Sequence, residues 1–143
     1  MKVCSLFSSF LFFLHPTHHS AVIHLCLTTS AGIAQLPYVL SSRHPPPETR
    51  VPEADDVATL NYSHPPQAII FGQSFTDEDI EKTREVCGEL MEEVIWVKVD
   101  QSREHPDPQS DLQGYGRHMV KRARETLARI VGGKIRKGEV VAY

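Results

Sequence analysis

The sequence predicts a small α/β protein with an at least partly parallel sheet. Residues 68–99 carry AIIFG, QSF, TDEDIEKTREVCGELMEE and VIWVKV in succession, which is the pattern of a strand, a capped helix and a second strand with short joints. Residues 112–131 add a second amphipathic helical pattern, and residues 139–143 end the chain with a candidate last strand. Strands joined through a helix pair in parallel, with a right-handed connection as the strong preference.

The first strand and its helix carry the clearest local signals. Ala68 to Phe71 form a continuous apolar run, as expected for a strand covered on both faces, and Gly72 ends it. Thr76 is a predicted N-cap with Asp79 three residues later, the arrangement of a capping box. The residues predicted to line the buried side of this helix and its exit are Ile80, Cys87, Leu90, Met91 and Val94.

The second half completes a β-α-β-α-(β) order, which is a Rossmann-like half of a doubly wound sheet. A strand is predicted over residues 94–99 and a helix over residues 112–131, with Gly132 and Gly133 ending the helix. A core built from residues 67–143 alone is small. Three explanations stay open: the upstream connector adds strands, a partner completes the sheet, or the chain is a fragment of a longer α/β enzyme.

The chain divides by composition into three regions. Residues 1–34 form a hydrophobic N-terminal segment expected to be poorly structured, residues 35–66 a proline-rich connector, and residues 67–143 the α/β domain. Within the connector, residues 37–40 and 57–62 are candidates for short edge strands.

The N-terminal segment supports three interpretations. Residues 3–14, VCSLFSSFLFFL, resemble the apolar core of a secretory signal but are too short to span a bilayer unaided. The segment is therefore a targeting signal, a mis-assigned start or a membrane-associated segment. A mis-assigned start implies a cytoplasmic protein, and a genuine signal implies the secretory pathway.

Catalytic and metal-binding motifs are absent from the sequence. The three cysteines have no metal-type spacing, and His15, His18 and His19 lack an acid or cysteine to complete a ligand set. A triad could be drawn with His105, but the sequence has no GxSxG element. We predict no catalytic residues and no metal.

The candidate ligand-binding residues follow the two predicted strands. Ligands of open α/β sheets bind at the carboxyl ends of the strands, which points to Gly72, Gln73, Ser74, Asp100 and Arg103. The glycine-rich dinucleotide fingerprint is absent, and the carboxylates that open the first helix oppose a phosphate there. NAD(P) is thus a candidate cofactor only if it binds without the contacts that this fingerprint provides.

Charge is distributed unevenly although the formal net charge is only −3. Residues 77–104 carry ten acidic and four basic residues, whereas residues 113–137 carry eight basic residues and one acidic residue. Such helices either attract each other or present charged faces to a protein partner or a second copy. No aromatic residues are interleaved with the basic ones in the way that nucleic-acid binding favours, so nucleic acid is not the expected partner. A membrane contact is expected only through the N-terminal segment.

Three segments resemble a group of small fungal α/β proteins without a described function. These segments are PQAIIFGQSFTDEDIEKTREVC, VIWVKVD and GYGRHMVKRARETLARI, within residues 66–130. The resemblance implies a Rossmann-like, NAD(P)-binding-like module and supplies no functional residues. We therefore expect a nucleotide- or small-metabolite-binding module without a catalytic site of its own. The alternatives are a non-enzymatic interaction module that uses its oppositely charged helices, and a fragment of a larger enzyme.

Overall fold

The computed structural model describes residues 2–6, 21–50, 58–104, 106–107 and 110–143. Its five strands are β1 (Lys2–Leu6), β2 (Ala21–Cys26), β3 (Ala68–Phe71), β4 (Ile95–Lys98) and β5 (Val140–Ala142). Its helices are α1 (Thr29–Leu40), α2 (Asp77–Cys87) and α3 (Leu112–Val131), with short 3₁₀ turns at Pro47–Thr49 and Gly88–Glu93. The strands form one sheet of order β2-β1-β3-β4-β5, and every neighbouring pair is parallel.

The predicted α/β class and the parallel pairing are confirmed. The strand, helix and strand predicted between residues 68 and 99 are β3, α2 and β4, and α3 begins and ends where the sequence placed it. The capping box is present: Thr76 Oγ1 accepts from the backbone N–H of Asp79 at 3.1 Å, and Asp79 Oδ2 accepts from that of Thr76 at 3.0 Å. The last candidate strand is β5.

Two further strands come from the N-terminal residues. β1 lies between β2 and β3 and is hydrogen-bonded to both, so it is an interior strand of the sheet, next to the edge strand β2. The upstream chain therefore does add strands, and those that the structure describes lie before residue 35. Residues 57–62 are one of the two predicted edge strands, and residue 57 lies outside the described residues. Thr59 and Leu60 donate to the carbonyls of Val22 and Ile23 at 3.0 and 3.1 Å without forming a strand.

The other edge-strand candidate, residues 37–40, is the last turn of α1. Pro37 removes one helical hydrogen bond and disfavours a helical residue before it, which is why the sequence favoured an extended segment. Tertiary packing overrides that preference, because Leu36, Val39 and Leu40 are buried. The turn is closed by Ser41, whose side-chain hydroxyl donates to the Pro37 carbonyl at 2.7 Å.

The helices cover both faces of the sheet. Alternate side chains of β3 and β4 divide between two cores because successive residues of a strand point to opposite faces. Ile69, Phe71 and Trp96 pack with residues of α1 and α2, whereas Ile70 and Val97 pack with α3. The predicted stripe residues Ile80, Cys87 and Val94 are buried in the first core, and Leu90 and Met91 pack against it.

The strand order and the helix positions set the hand of the connections. The order 2-1-3-4-5 is one of the two common doubly wound orders. The steps from β3 to β4 and from β4 to β5 run in the same direction across the sheet, but α2 and α3 lie on opposite faces. The two connections are therefore of opposite hand, and one of them departs from the usual right-handed form.

A buried polar network joins β2 to α1 and to the loop before β3. The His24 side chain is only 1% exposed. Its Nδ1 lies 2.8 Å from the Tyr62 hydroxyl, and its Nε2 lies 2.6 Å from Gln35 Oε1. Gln35 also donates to the Thr49 carbonyl, so one amide reaches the 3₁₀ turn at Pro47–Thr49. A register shift in β2 leaves Ile23 as an extra residue, and Ile23 packs with Tyr62 as well.

Candidate ligand-binding edge

All five strands run in the same direction, so their carboxyl ends lie along one edge of the sheet. Three segments meet there among the described residues: the loop after β3 (residues 72–76), the loop after β4 (residues 99–104) and the first turns of α3. We call this region the carboxyl edge. In doubly wound sheets ligands bind at this edge, where the strand order reverses. The order here reverses between β1 and β3.

Gln73 joins the three segments of the carboxyl edge. Its backbone carbonyl accepts a hydrogen bond from Gln101 Nε2 at 3.1 Å, which ties the loop after β3 to the loop after β4. Its side-chain Oε1 accepts from the Tyr115 hydroxyl at 2.6 Å, which ties the first loop to α3. One residue thus connects both loops to the helix, through its backbone carbonyl and through its side chain.

Asp100 organises the loop after β4. Its carboxylate accepts from the backbone N–H and the hydroxyl of Ser102, at 3.1 and 2.6 Å, and pairs with Arg103 Nε at 2.9 Å. The hydrogen bond from the Ser102 hydroxyl, followed by the backbone bond and the Arg103 charge, lowers the pKa of Asp100. The backbone N–H of Asp100 donates to the Tyr143 carbonyl at 2.7 Å, so β5 is held to the same loop.

The helix N-termini at this edge are capped by their own side chains. Thr28 accepts from the backbone N–H of Ala31 at α1, and Asp111 accepts from that of Gly114 at α3. At α2, Asp79 holds the cap and Asp77 pairs with Lys98 Nζ at 2.5 Å. The start of α2 thus presents carboxylates at the position where a phosphate would need hydrogen-bond donors.

The five predicted residues lie at the carboxyl edge in different settings. Gly72 is buried, Gln73 and Asp100 are half-buried, and Ser74 is exposed. Arg103 is largely exposed, with 64% of its side chain in contact with solvent. The structure brings Asp100 and Arg103 together as an ion pair and places Gln73 against Gln101, next in sequence to Asp100.

Sequence analysis missed a second group at this edge, formed by residues of α3 and the end of β5. Tyr115, Arg122 and Tyr143 are buried, and the Arg122 guanidinium lies 5.7 Å from the centre of the Tyr143 ring. His118 is half-buried and lies one helical turn before Arg122. The helical period placed Tyr115 on the buried stripe, but Arg122 looked like one more member of a basic surface run. Only its seven-residue spacing from Tyr115 indicated that it shares the buried side.

Burial controls the protonation of the two tyrosines and of Cys87. Burial raises the pKa of Tyr115, with the Arg122 charge acting in the opposite direction. Burial also raises the pKa of Tyr143 far above its usual range, so both phenols are hydrogen-bond donors at neutral pH. Burial raises the pKa of the Cys87 thiol to about 11, and Cys26 and Cys87 are both free thiols.

The described residues contain no group of three or more histidines, cysteines or carboxylates placed to hold a metal ion. His15, His18, His19 and His105 lie outside the described residues. No helix in the described part of the chain is both long enough and apolar enough to cross a membrane.

Comparisons with protein-family models, with curated proteins and with solved structures gave no match to this chain. The resemblance to fungal NAD(P)-binding-like proteins therefore stays a prediction.

Proposed function

We propose that this protein binds a small metabolite or a nucleotide at the carboxyl edge and has no catalytic site of its own. The observation that carries the proposal is the double contact of Gln73. It holds the loops after β3 and β4 and the start of α3 in one arrangement, with the polar groups of Ser74, Asp100 and Arg103 beside it. The carboxyl ends of parallel strands are the usual setting for a ligand in this class of fold, and Gln73 follows β3, one of the two strands between which the strand order reverses.

The chemistry of the edge favours a ligand with hydroxyl groups near Asp100. Its lowered pKa keeps the carboxylate ionised, and an ionised carboxylate only accepts hydrogen bonds. A sugar or ribose hydroxyl is a suitable donor. Arg103 is mostly exposed and can turn towards an acidic group of the same ligand.

The proposal is tested by thermal melting of the full chain with NAD, NADP, FMN and ATP. A ligand present at about 100 times its dissociation constant adds roughly 2.7 kcal/mol of stability, which raises the melting temperature by several degrees. Asp100→Asn should abolish that rise. Glu81→Gln on the exposed surface of α2 is the control and should keep it. An unchanged rise in the Asp100 variant would place the ligand elsewhere.

A second candidate function is a protein interaction module. Because α2 and α3 lie on opposite faces of the sheet, their charges do not neutralise each other across a shared contact. The exposed basic residues of α3 have no ion-pair partner among the described residues: Arg117, Lys121, Arg124 and Arg129. We propose an acidic protein surface as the partner. Sedimentation of the full chain at low and high salt tests self-association, which screening should weaken.

A further inference from the structure

The unusual feature of the α3 side of the sheet is a buried cation that has no hydrogen-bond partner among the described residues. Arg122 is 8% exposed, and its Nε, Nη1 and Nη2 atoms are all buried. Among the residues that the structure describes, none provides a hydrogen-bond acceptor to any of these three nitrogens. A guanidinium cannot lose its charge in a protein, so burial does not neutralise it. An uncompensated buried charge is strongly unfavourable, and such a group needs a counter-charge.

The surroundings of Arg122 supply further donors, and no carboxylate of the described residues forms an ion pair with it. His118, one turn earlier on α3, has a buried Nε2 that also lacks a hydrogen-bond partner among the described residues. The Tyr143 ring lies under the guanidinium, and the charge of Arg122 acts on both the Tyr115 and the Tyr143 phenols. We call these four residues the donor cluster. It combines one fixed positive charge with two protonated phenols and an imidazole whose Nε2 has no hydrogen-bond partner among the described residues.

We propose that the donor cluster binds a small oxyanion, a carboxylate or a phosphate group, with Arg122 as its charged anchor. The planar guanidinium matches two oxygens of either group, and the Tyr143 hydroxyl and His118 can donate to the others, while the Tyr115 hydroxyl stays bonded to Gln73. The helix N-termini at this edge, which would be the other place for an anion, are capped by their own side chains. The inference rests on the proposed function, because it assigns the acidic group of the bound metabolite.

The position of the donor cluster fits this role. Tyr115 connects it directly to Gln73 at the carboxyl edge. Tyr143 follows the edge strand β5 and is held to β4 by its backbone N–H, which donates to the Lys98 carbonyl at 2.8 Å. A ligand that contacts Asp100 with its hydroxyl groups can thus reach the donor cluster with its anionic end.

The test is a thermal melt of the full chain against inorganic phosphate and, separately, succinate, with sodium chloride adjusted to hold ionic strength constant. We expect at least one anion to give a saturable rise in melting temperature of about 5 °C. The anion that gives the saturable rise in melting temperature identifies phosphate or carboxylate as the preferred group. No saturable rise with either anion overturns the proposal.

Two variants separate the donor cluster from general charge effects. Arg122→Met keeps the length and removes the charge, so it should melt at the same or a higher temperature without anion and lose the anion-dependent rise. Arg124→Met, at an exposed position two residues away, should keep the rise. A rise retained in Arg122→Met, or lost equally in Arg124→Met, contradicts the assignment.

A third variant covers the case in which Arg122→Met does not fold. Arg122→Lys keeps the charge but loses the planar fork, and we expect at least a tenfold weaker affinity for the same anion. Equal affinity would overturn the role of the guanidinium.

The nucleotide panel separates the two proposals. If a nucleotide raises the melting temperature equally in the wild type and in Arg122→Met, the ligand-binding function stands and the oxyanion site fails. If phosphate or succinate acts through Arg122 while Asp100→Asn leaves every ligand effect unchanged, the oxyanion site stands and the proposed metabolite site fails.

Discussion

At the scale of single residues, the His24 network connects the N-terminal strand β2 to α1 and to the loop before β3. The imidazole contacts Tyr62 on one side and Gln35 on the other, and all three side chains are buried. With Nε2 donating to Gln35 Oε1, a neutral ring leaves Nδ1 as the acceptor for the Tyr62 hydroxyl. Each member of the network bonds to another, so removing one group takes a hydrogen bond from a buried polar atom.

We expect Tyr62→Phe to lower the free energy of unfolding by about 1–3 kcal/mol, since it keeps the ring and leaves His24 Nδ1 without that donor. Urea denaturation measures the change. Tyr38→Phe is the matched control, because the Tyr38 hydroxyl has no hydrogen-bond partner among the described residues. It should change stability by less than about 0.5 kcal/mol. Equal losses in both variants would show that the hydroxyl of Tyr62 contributes nothing specific.

Cys87 makes the free energy of unfolding depend on pH in the alkaline range. Burial raises the pKa of its thiol from an ordinary 9.0 to about 11. Between these values the unfolded thiol loses its proton while the folded thiol keeps it, so unfolding gains free energy and stability falls as pH rises. Below pH 9 this contribution is fully present. We expect the stability difference between the wild type and Cys87→Ala to shrink as urea denaturation is repeated from about pH 8 to about pH 10.5. A constant difference would mean that the thiol does not titrate differently in the two states.

At the scale of elements, local signals predicted α2 and α3 but not α1. These signals involve residues that are close together in sequence: the capping box of α2, the two glycines after α3 and the apolar spacing of both helices. α1 contains Pro37 and no charged residue, so local preference pointed away from a helix. Its helical form depends on packing against α2, which is distant in sequence, as well as against the preceding strand β2. The same limit explains Arg122, whose burial depends on β5.

The cap of α2 is a testable element. Thr76→Ala removes the acceptor for the Asp79 backbone N–H and should cost about 1 kcal/mol, whereas Thr76→Ser keeps the oxygen and should cost much less. The backbone and side-chain hydrogen bonds from Thr76 lower the pKa of Asp79. That stabilisation is present above the ordinary pKa of an aspartate and is lost as pH falls through the lowered value. Urea denaturation at about pH 7 and about pH 3 should therefore show a smaller cost of Thr76→Ala at the lower pH. A cost that does not change with pH would exclude a role for the ionised carboxylate.

At the scale of the whole molecule, the sheet depends on a strand that the sequence did not reveal. The residues before position 35 carry a signal-like composition, and their strand character becomes evident only through pairing with β3. Three other features are likewise non-local: the strand order, the placement of α2 and α3 on opposite faces of the sheet, and the donor cluster. They follow from which strands meet, and not from any pattern within one segment.

The interior position of β1 leads to a prediction about a single proline. A strand paired on both sides uses every backbone N–H, so Ser5→Pro removes a hydrogen bond from the interior of the sheet. At the edge strand β5, the Trp96 N–H donates to Glu139 and the Tyr143 N–H donates to Lys98, so the intervening N–H of Ala142 points away from β4. We expect Ser5→Pro to abolish or greatly lower the cooperative thermal transition seen by circular dichroism, and Ala142→Pro to retain it. If Ser5→Pro melts like the wild type, β1 does not hold the sheet together, and β3, β4 and β5 must fold without it.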